Sequence, residues 1–581
     1  MPGPAPPPRR LPAFARHWPD ACQNVADDII LRADHPPSPQ PGGIAPVLTL
    51  KPWRFAPERR IFLLLVYIAA QAAFLKLTIH PRADGNFPTI PGGVFQPVLY
   101  FMLGFLLLLS TRFKMHWRDL LASATPYRWH RLLLPQAACY GLIIYAAGRL
   151  LPTAFNDFAV NAAPAPGWWI VLLAAAIALT FLLSLGLLAP ASYWSRFAQR
   201  QKATVLLACI FPISHFLVYS LVVRSEDVLS GPTIAVVKFL LSLFYGDVHA
   251  DFQSKVVGTS QFDVIIDHLC SGYEGIGMIT VFLIWYLHSF SKDFRFPAAL
   301  LLFPLAALMI WLSNCLRIAM LVAIGSSFSS EVAMDGFHAN AGWIFFIAVS
   351  LGMVTLARRN TAICRTATHA TIVVDAGSAL AIPFLVMLAA TLLTSAVSSD
   401  FQWLYPVRAA ATAGALLLLW KHFRLRITAP RLAPVLAGAL VFVLWIALVP
   451  PDTDADRAFS ASLFSVPAAW STAWLALRMA GSAVVIPIAE ELAFRAYVPR
   501  FFSGGDAIGP AGGPLRWAPF LVSSVLFGAL HSFWLAGIIA GAVYYLVQQR
   551  SGRLWDSIVA HMTTNLLLSL YVLASGHWSY W

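Results

Sequence analysis

The sequence predicts an all-α fold: a polytopic transmembrane helical bundle made of two fused membrane domains. Three observations carry this expectation. First, 59% of the 581 residues are hydrophobic and only 12% are charged, whereas soluble domains average about 25% charged residues. Second, mean hydropathy is +0.69, and apolar runs near the ~20 residues needed to cross a bilayer recur along the chain. Third, the basic residues gather in alternate short loops, the pattern of cytoplasmic loops in membrane proteins. The excess of 40 Lys+Arg over 27 Asp+Glu therefore reads as orientation. Nothing resembles a zinc finger or a basic-aromatic nucleic-acid surface.

Taken in order, residues 1–55 are Pro-rich and polar, with no apolar core of a signal peptide, and read as a disordered cytoplasmic tail. Helical spans are expected near 61–79, 95–111, 131–151, 168–192, 203–223, 273–290, 297–324, 341–357, 371–396, 406–420, 432–450, 468–489, 517–534, 536–549 and 556–575. The apolar run 232–245 is short and reads as interfacial or re-entrant. A soft boundary falls near 365–430, which gives a first membrane domain at 56–365, connecting spans at 366–430 and a second domain at 431–581. The six cysteines, Cys22, Cys139, Cys209, Cys270, Cys315 and Cys364, show no paired spacing, so neither a disulfide framework nor a CxxC metal site is expected.

The loops around Arg59-Arg60, Arg112–Arg131, Arg196–Lys202, Lys292–Arg295 and Arg358–Arg365 fall on one side, and the poorly basic loops 80–94, 152–167, 224–272 and 325–340 on the other. With the basic side cytoplasmic, three unusual polar groups converge on the outer face. Cys270 precedes an apolar run, Arg317 lies late in a span that starts inside, and His338 opens the next span. Ionisable groups at membrane depth are costly and are usually functional. A thiolate attacking a peptide carbonyl needs a base or a positive neighbour, and donors for the oxyanion. His338 could be the base, with His268, two residues from the thiol, as a competitor, and Arg317 could stabilise the oxyanion or orient the substrate. Gly272 and Gly275 would let a peptide backbone come close. Singly, each residue has an ordinary explanation: packing for the cysteine, snorkelling for the arginine, a loop position for the histidine. Together on one face they have a common one.

A second set lies downstream. Glu490-Glu491 ends an apolar run, and Glu491 and Arg495, spaced i,i+4, can pair on one helix face. Glu490 then lacks a local partner. His531 falls inside an apolar segment, and His561 and Asn565 share one face of the last span. A carboxylate and a histidine could activate water, and a histidine with an amide could hold the oxyanion. A polar network that glues helices is the plainer alternative. A zinc site built from Glu490, His531 and His561 ranks lower, because no HExxH is present.

Cys270-Ser271-Gly272 before a span, Asn314-Cys315-Leu316-Arg317-Ile318 in a later one and His338-Ala339-Asn340-Ala341-Gly342 opening the next resemble the exosortase/archaeosortase family over roughly 60–360. The resemblance implies a cysteine transpeptidase with Cys270 as nucleophile, Arg317 as oxyanion or positioning residue and His338 as acid/base. It implies as substrates exported proteins with a C-terminal motif, a transmembrane helix and a basic tail. Glu274-Gly275 departs from the small or hydroxyl residues of many members. EExxxR, FxxxH and HxxxN, in that order over about 430–575, resemble the CPBP intramembrane proteases, which include the type II CAAX prenyl endopeptidases. That likeness implies Glu490 and His531 activating water, His561 and Asn565 as oxyanion hole and Arg495 as structural partner of Glu491. The combination resembles the exosortase E/protease type of the VPEID-CTERM system in the inner membrane of Gram-negative bacteria. No cofactor, metal or nucleic acid is implied. A transporter or flippase is the main alternative from another class, though no repeated halves are visible; a non-catalytic scaffold is the other.

The orientation is directly testable. Single-cysteine variants Ser260→Cys and Ser330→Cys, in a thiol-free background, should label in intact cells with a membrane-impermeant maleimide. Gln199→Cys and Thr361→Cys should not. The reverse pattern would end any mechanism on exported substrates.

Overall fold

The computed structural model describes residues 61, 63, 64, 66–68, 71, 108, 113–123, 127–150, 168–210, 226–266, 272–365, 375, 377–399, 401–423, 425–503, 513 and 515–581. The tail 1–55 with Cys22, most of the runs at 61–79, 95–111 and 203–223, and the stretch Asp267–Ser271 with His268 and Cys270 lie outside the described residues. The chain is an all-α, multi-pass membrane protein. Six helices among the described residues are long and apolar enough to cross a membrane, or seven if one bent pair counts as a span.

The first bundle is built on three helices. Tyr273–Ser289, Leu302–Ser327 and Ala339–Arg359 bury Ile279, Leu283, Ala306, Ile310 and Met353 against one another. Arg358 pins one end, with Nη1 donating to Asp293 at 2.8 Å and Nε to the Tyr286 hydroxyl at 2.9 Å. Helix Glu226–Ser242 packs on the 302–327 helix, where the Trp311 indole donates to Thr233 at 3.0 Å. The run expected as interfacial or re-entrant at 232–245 is thus the body of a 17-residue helix that begins earlier.

The poorly basic loop 224–272 holds a second unforeseen element. His249–Asp251 (β1), Val256–Gly258 (β2) and Asp263–Ile265 (β3) form an antiparallel sheet in the order β1-β2-β3. Asp251 shapes the β1–β2 turn, accepting from the Gln253 backbone N–H at 2.8 Å and the Ser254 hydroxyl at 2.6 Å. A Cβ on Gly258 would stand 2.4 Å from Asp263 Cα, so only glycine lets β2 and β3 close. The span expected to open at His338 also starts earlier, since Val332–His338 is π-helical and runs directly into the 339–359 helix.

In the second bundle, Ser378–Ser395 and Tyr405–Phe423, expected as connecting spans, pack into its core. Phe384 and Met387 meet Phe494 and Phe527, and Leu380 and Leu416 meet Leu492 and Ile558. The run expected to stop at 489 does not stop. Ala468–Ala480, a π-turn Gly481–Val485, Ile486–Glu491, a second π-turn Leu492–Tyr497 and Val498–Ser503 follow without a break. Burial explains this: Glu490, Glu491 and Arg495 all lie inside the protein, so their charges do not mark a membrane boundary. The hairpin expected as 517–534 and 536–549 is Trp517–Ala529 and Trp534–Ser551, and His531 stands on the turn between the helices. Leu432–Leu448 breaks by 111° into Thr453–Leu463, a helix capped by Asp452, whose carboxylate accepts from Asp454 N at 3.0 Å and Ala455 N at 3.1 Å.

Close helix contacts use small residues, as in other membrane bundles. A Cβ on Gly438 would lie 2.2 Å from the Ala560 carbonyl oxygen on the last helix. Gly438→Ala is therefore expected to destabilise the second bundle by ~1–3 kcal/mol, the usual cost of overpacking. A lowered midpoint in detergent thermal unfolding checks this, and an unchanged midpoint would show that the helices can part freely.

Candidate active sites

The first cavity, about 180 Å³, is lined by Gly272, Glu274, Asn314, Arg317 and His338 among others. The structure thus brings Arg317 and His338 together from separate helices. Arg317 Nη2 donates to the His338 carbonyl oxygen at 3.0 Å and stands 3.5 Å from Nδ1 of the same residue. A guanidinium only donates, so its approach to Nδ1 needs a lone pair there and leaves Nε2 for other partners.

Local backbone chemistry sets these positions. Gly272 has φ +96°, a left-handed conformation that favours glycine, and it turns the chain into the 273–289 helix beside Asn314. His338 ends a π-turn, and Asn340 Nδ2 donates to the Gly336 carbonyl inside that turn at 2.8 Å. Gly275 differs from expectation. A Cβ there would meet Ile310 Cγ2 at 2.7 Å, so its smallness serves the packing of two helices as well as access to the cavity. Cys315 is buried in the helix core, and Cys270, with its rival base His268, lies outside the described residues.

The second cavity, about 220 Å³, gathers Glu490, His531, His561 and Asn565 on one surface. All four were anticipated from sequence. On the 468–503 helix the lining residues Arg478, Ser482, Ile486 and Glu490 recur every four positions, one stripe facing the cavity. His531 Nδ1 lies 2.9 Å from the Phe527 carbonyl oxygen, which can only accept. Nδ1 therefore carries the proton and the Nε2 lone pair is free to accept one. Asn565 Nδ2 donates to the Ser482 carbonyl in the first π-turn at 2.9 Å, which fixes the amide orientation.

Beneath the cavity, Glu491 and Arg495 are both fully buried and pair at 3.1 Å. Glu491 does more than the expected pairing. Its Oε1 stands 3.0 Å from His561 Nδ1 and its Oε2 also accepts from the Ser557 hydroxyl. The carboxylate thus fixes the His561 tautomer and ring orientation and turns Nε2 toward Glu490, 3.8 Å away. Donation to an oxyanion from that nitrogen requires the doubly protonated ring. Tyr544 stacks on the imidazole at 4.7 Å. Sequence reasoning missed the Glu491–His561 contact because 70 residues separate the partners. The zinc alternative has no suitable trio: among the described residues no three His, Cys, Asp or Glu side chains converge as ligands would.

Two polar clusters, one Arg/His and one Glu/His/Asn, thus line cavities within apolar helical bundles. The family comparisons supply the class. Residues 94–355 match the transmembrane exosortase family (Exosortase_EpsH), and residues 472–567 match the type II CAAX prenyl endopeptidase Rce1-like family. No curated protein and no solved structure matches the chain. The chain joins an exosortase-type region to a CAAX-protease-type region and is an enzyme of the peptidase/transpeptidase kind.

Removing one partner of a buried pair strands the other charge, typically at a cost of ~3–5 kcal/mol. Arg495→Met should therefore destabilise the second bundle by about that amount. Glu491→Gln with Arg495→Met should cost less than the two single changes summed. Thermal unfolding of the four proteins in detergent gives the cycle, and strict additivity would show that the pair is uncoupled.

Proposed function

We propose that the protein is a bacterial inner-membrane enzyme with two peptide-bond sites in tandem. The first, in 56–365, uses Cys270 as nucleophile, His338 as acid/base and Arg317 to hold the oxyanion or the substrate chain. It cleaves the C-terminal motif-helix-basic tail of exported proteins at the outer face and transfers them to an acceptor. The support is the Arg317–His338 contact in a cavity bordered by Gly272, two residues beyond Cys270, together with the exosortase match. In the second, in 431–581, Glu490 and the free Nε2 of His531 activate water while His561 and Asn565 face the developing oxyanion. The observation that carries this half is the convergence of those four residues around one cavity. The fusion fits an exosortase E/protease of the VPEID-CTERM type.

The two halves separate by mutation. Cys270→Ala should abolish maturation of a tagged exported substrate, followed by immunoblot, while the enzyme stays in the membrane at normal level. Normal maturation would remove the thiol from the mechanism. Glu490→Gln should lower water-driven proteolysis by roughly 10²–10⁴, the usual contribution of general acid–base catalysis, and spare Cys270-dependent cleavage. Equal loss of both activities in intact protein would mean one composite site.

A further inference from the structure

The three-stranded sheet lies directly before the stretch that carries Cys270, and the reactions above give it no task. Its last strand is an edge. The β2–β3 register pairs Gly258 with Asp263, Val257 with Val264 and Val256 with Ile265. Thr259 N–H donates to the Phe262 carbonyl at 3.0 Å and Ile266 N–H to the Lys255 carbonyl at 2.8 Å. In an antiparallel ladder hydrogen-bonded and non-hydrogen-bonded pairs alternate. Phe262, Val264 and Ile266 therefore turn their main-chain groups toward β2, and Asp263 and Ile265 turn theirs away from it. β3 has no further strand beside it among the described residues.

This edge strand is packed on the helices that carry the first cavity. Phe262 and Val264 pack on Phe337 and Leu321, and Phe337 directly precedes His338 in the π-turn. The β2–β3 turn is anchored as well: Thr259 and Ser326 hydroxyls lie 2.8 Å apart, and Asp247 accepts from the Ser260 backbone N–H at 3.0 Å. Hydrogen bonds from the Ser260 hydroxyl, the larger effect, and from the Ser260 backbone N–H hold the Asp247 carboxyl below its ordinary range. At the other end, Ile265 and Gly272 are separated by seven positions, so the chain passes from the strand into the cavity wall within at most ~25 Å. Exposed edges with unpaired N–H and C=O groups are templates for another strand, and an extended peptide can bind by adding itself to one. Ile265 is 68% exposed and offers an apolar side chain next to the unpaired groups.

We propose that β3 is the substrate-docking edge of the first site. The segment of the exported protein around its cleavage point adds as a fourth strand, bonded to the N–H and C=O groups of Asp263 and Ile265, and is thereby led into the Arg317/His338 cavity. The inference rests on the reading of the first site as a Cys270-dependent peptidase. Recognition through the main chain would make the enzyme tolerant of side chains at alternate substrate positions and intolerant of lost N–H groups.

The test uses the full-length enzyme in nanodiscs and a synthetic peptide copied from the C-terminal region of an exported protein that the enzyme processes in cells. Each residue around the cleavage point is N-methylated in turn, and cleavage that disappears in Cys270→Ala is measured. The expected result is a period-two pattern, with a five- to tenfold loss in kcat/KM at every second position and little change between, about one net hydrogen bond each. Ile265→Pro, which removes an outward N–H and leaves the β2 bonds intact, should lower kcat/KM by a similar factor, mainly through KM. A flat or non-alternating scan together with an unaffected Ile265→Pro variant overturns the docking edge; pairing of β3 with a second copy of the chain would give that result. Cleavage that persists in Cys270→Ala instead overturns the first-site reading.

Discussion

A carboxylate and a guanidinium sealed inside an apolar bundle dominate the second half of the protein. Glu491 and Arg495 expose nothing to solvent or lipid, and neither is tolerable there without the other. Their remaining bonding capacity goes to other helices. Arg495 Nη2 donates to the Gly541 carbonyl at 3.2 Å, and its guanidinium lies 4.4 Å over the Phe527 ring. Glu491 takes Ser557 and His561 on the last helix. One ion pair thereby specifies how the 468–503, 517–529, 534–551 and 554–575 helices meet. The same carboxylate aims a histidine into the cavity, so position and chemistry are not separable at this residue.

The first half places its arginine in a cavity lined by Glu274, Asn314 and His338. The arginine there leans on the His338 main-chain oxygen, and Gly275 lets its helix close on Ile310 of the 302–327 helix. The two halves also touch: a Cβ on Gly336 would sit 2.1 Å from the Ser398 carbonyl oxygen, so the helix bearing His338 and the first helix of the second bundle meet without a gap. Beyond that contact, Arg408 donates to Ser395 at 2.9 Å and Arg478 lies 4.0 Å over the Tyr405 ring. Arg478 itself lines the second cavity.

Hydropathy made the long spans legible because each must satisfy its own backbone in lipid. Motif spacing made Glu490, His531, His561 and Asn565 legible as a set, and the i,i+4 rule found the Glu491–Arg495 pair. What escaped was whatever depends on distant partners. Three-residue strands carry too little alternation to stand out from a polar loop. Charge normally marks the end of a span, and at Glu490 the rule fails because Glu491 and Arg495 pair inside the bundle while Glu490 lines an internal cavity. Gly275 was read as room for a substrate when a neighbouring isoleucine also claims the space. The turn at His531 is masked in the sequence by Leu530, Phe533 and Trp534, apolar residues exposed on the protein surface that read like the continuation of a membrane helix.

All three π-helical stretches among the described residues, Val332–His338, Gly481–Val485 and Leu492–Tyr497, adjoin residues of the candidate sites. Such turns are often found at functional sites. The two stretches inside the 468–503 helix each hold one residue in excess of the regular i→i−4 ladder, so helix on either side differs in phase by about 100°, the angular step of one residue. Losing that residue would restore an unbroken ladder, a gain for the helix taken alone, and would swing everything beyond it around the axis. In these helices local regularity and aim are opposed, and chain length within a single turn acts as a sighting adjustment for the side chains that follow.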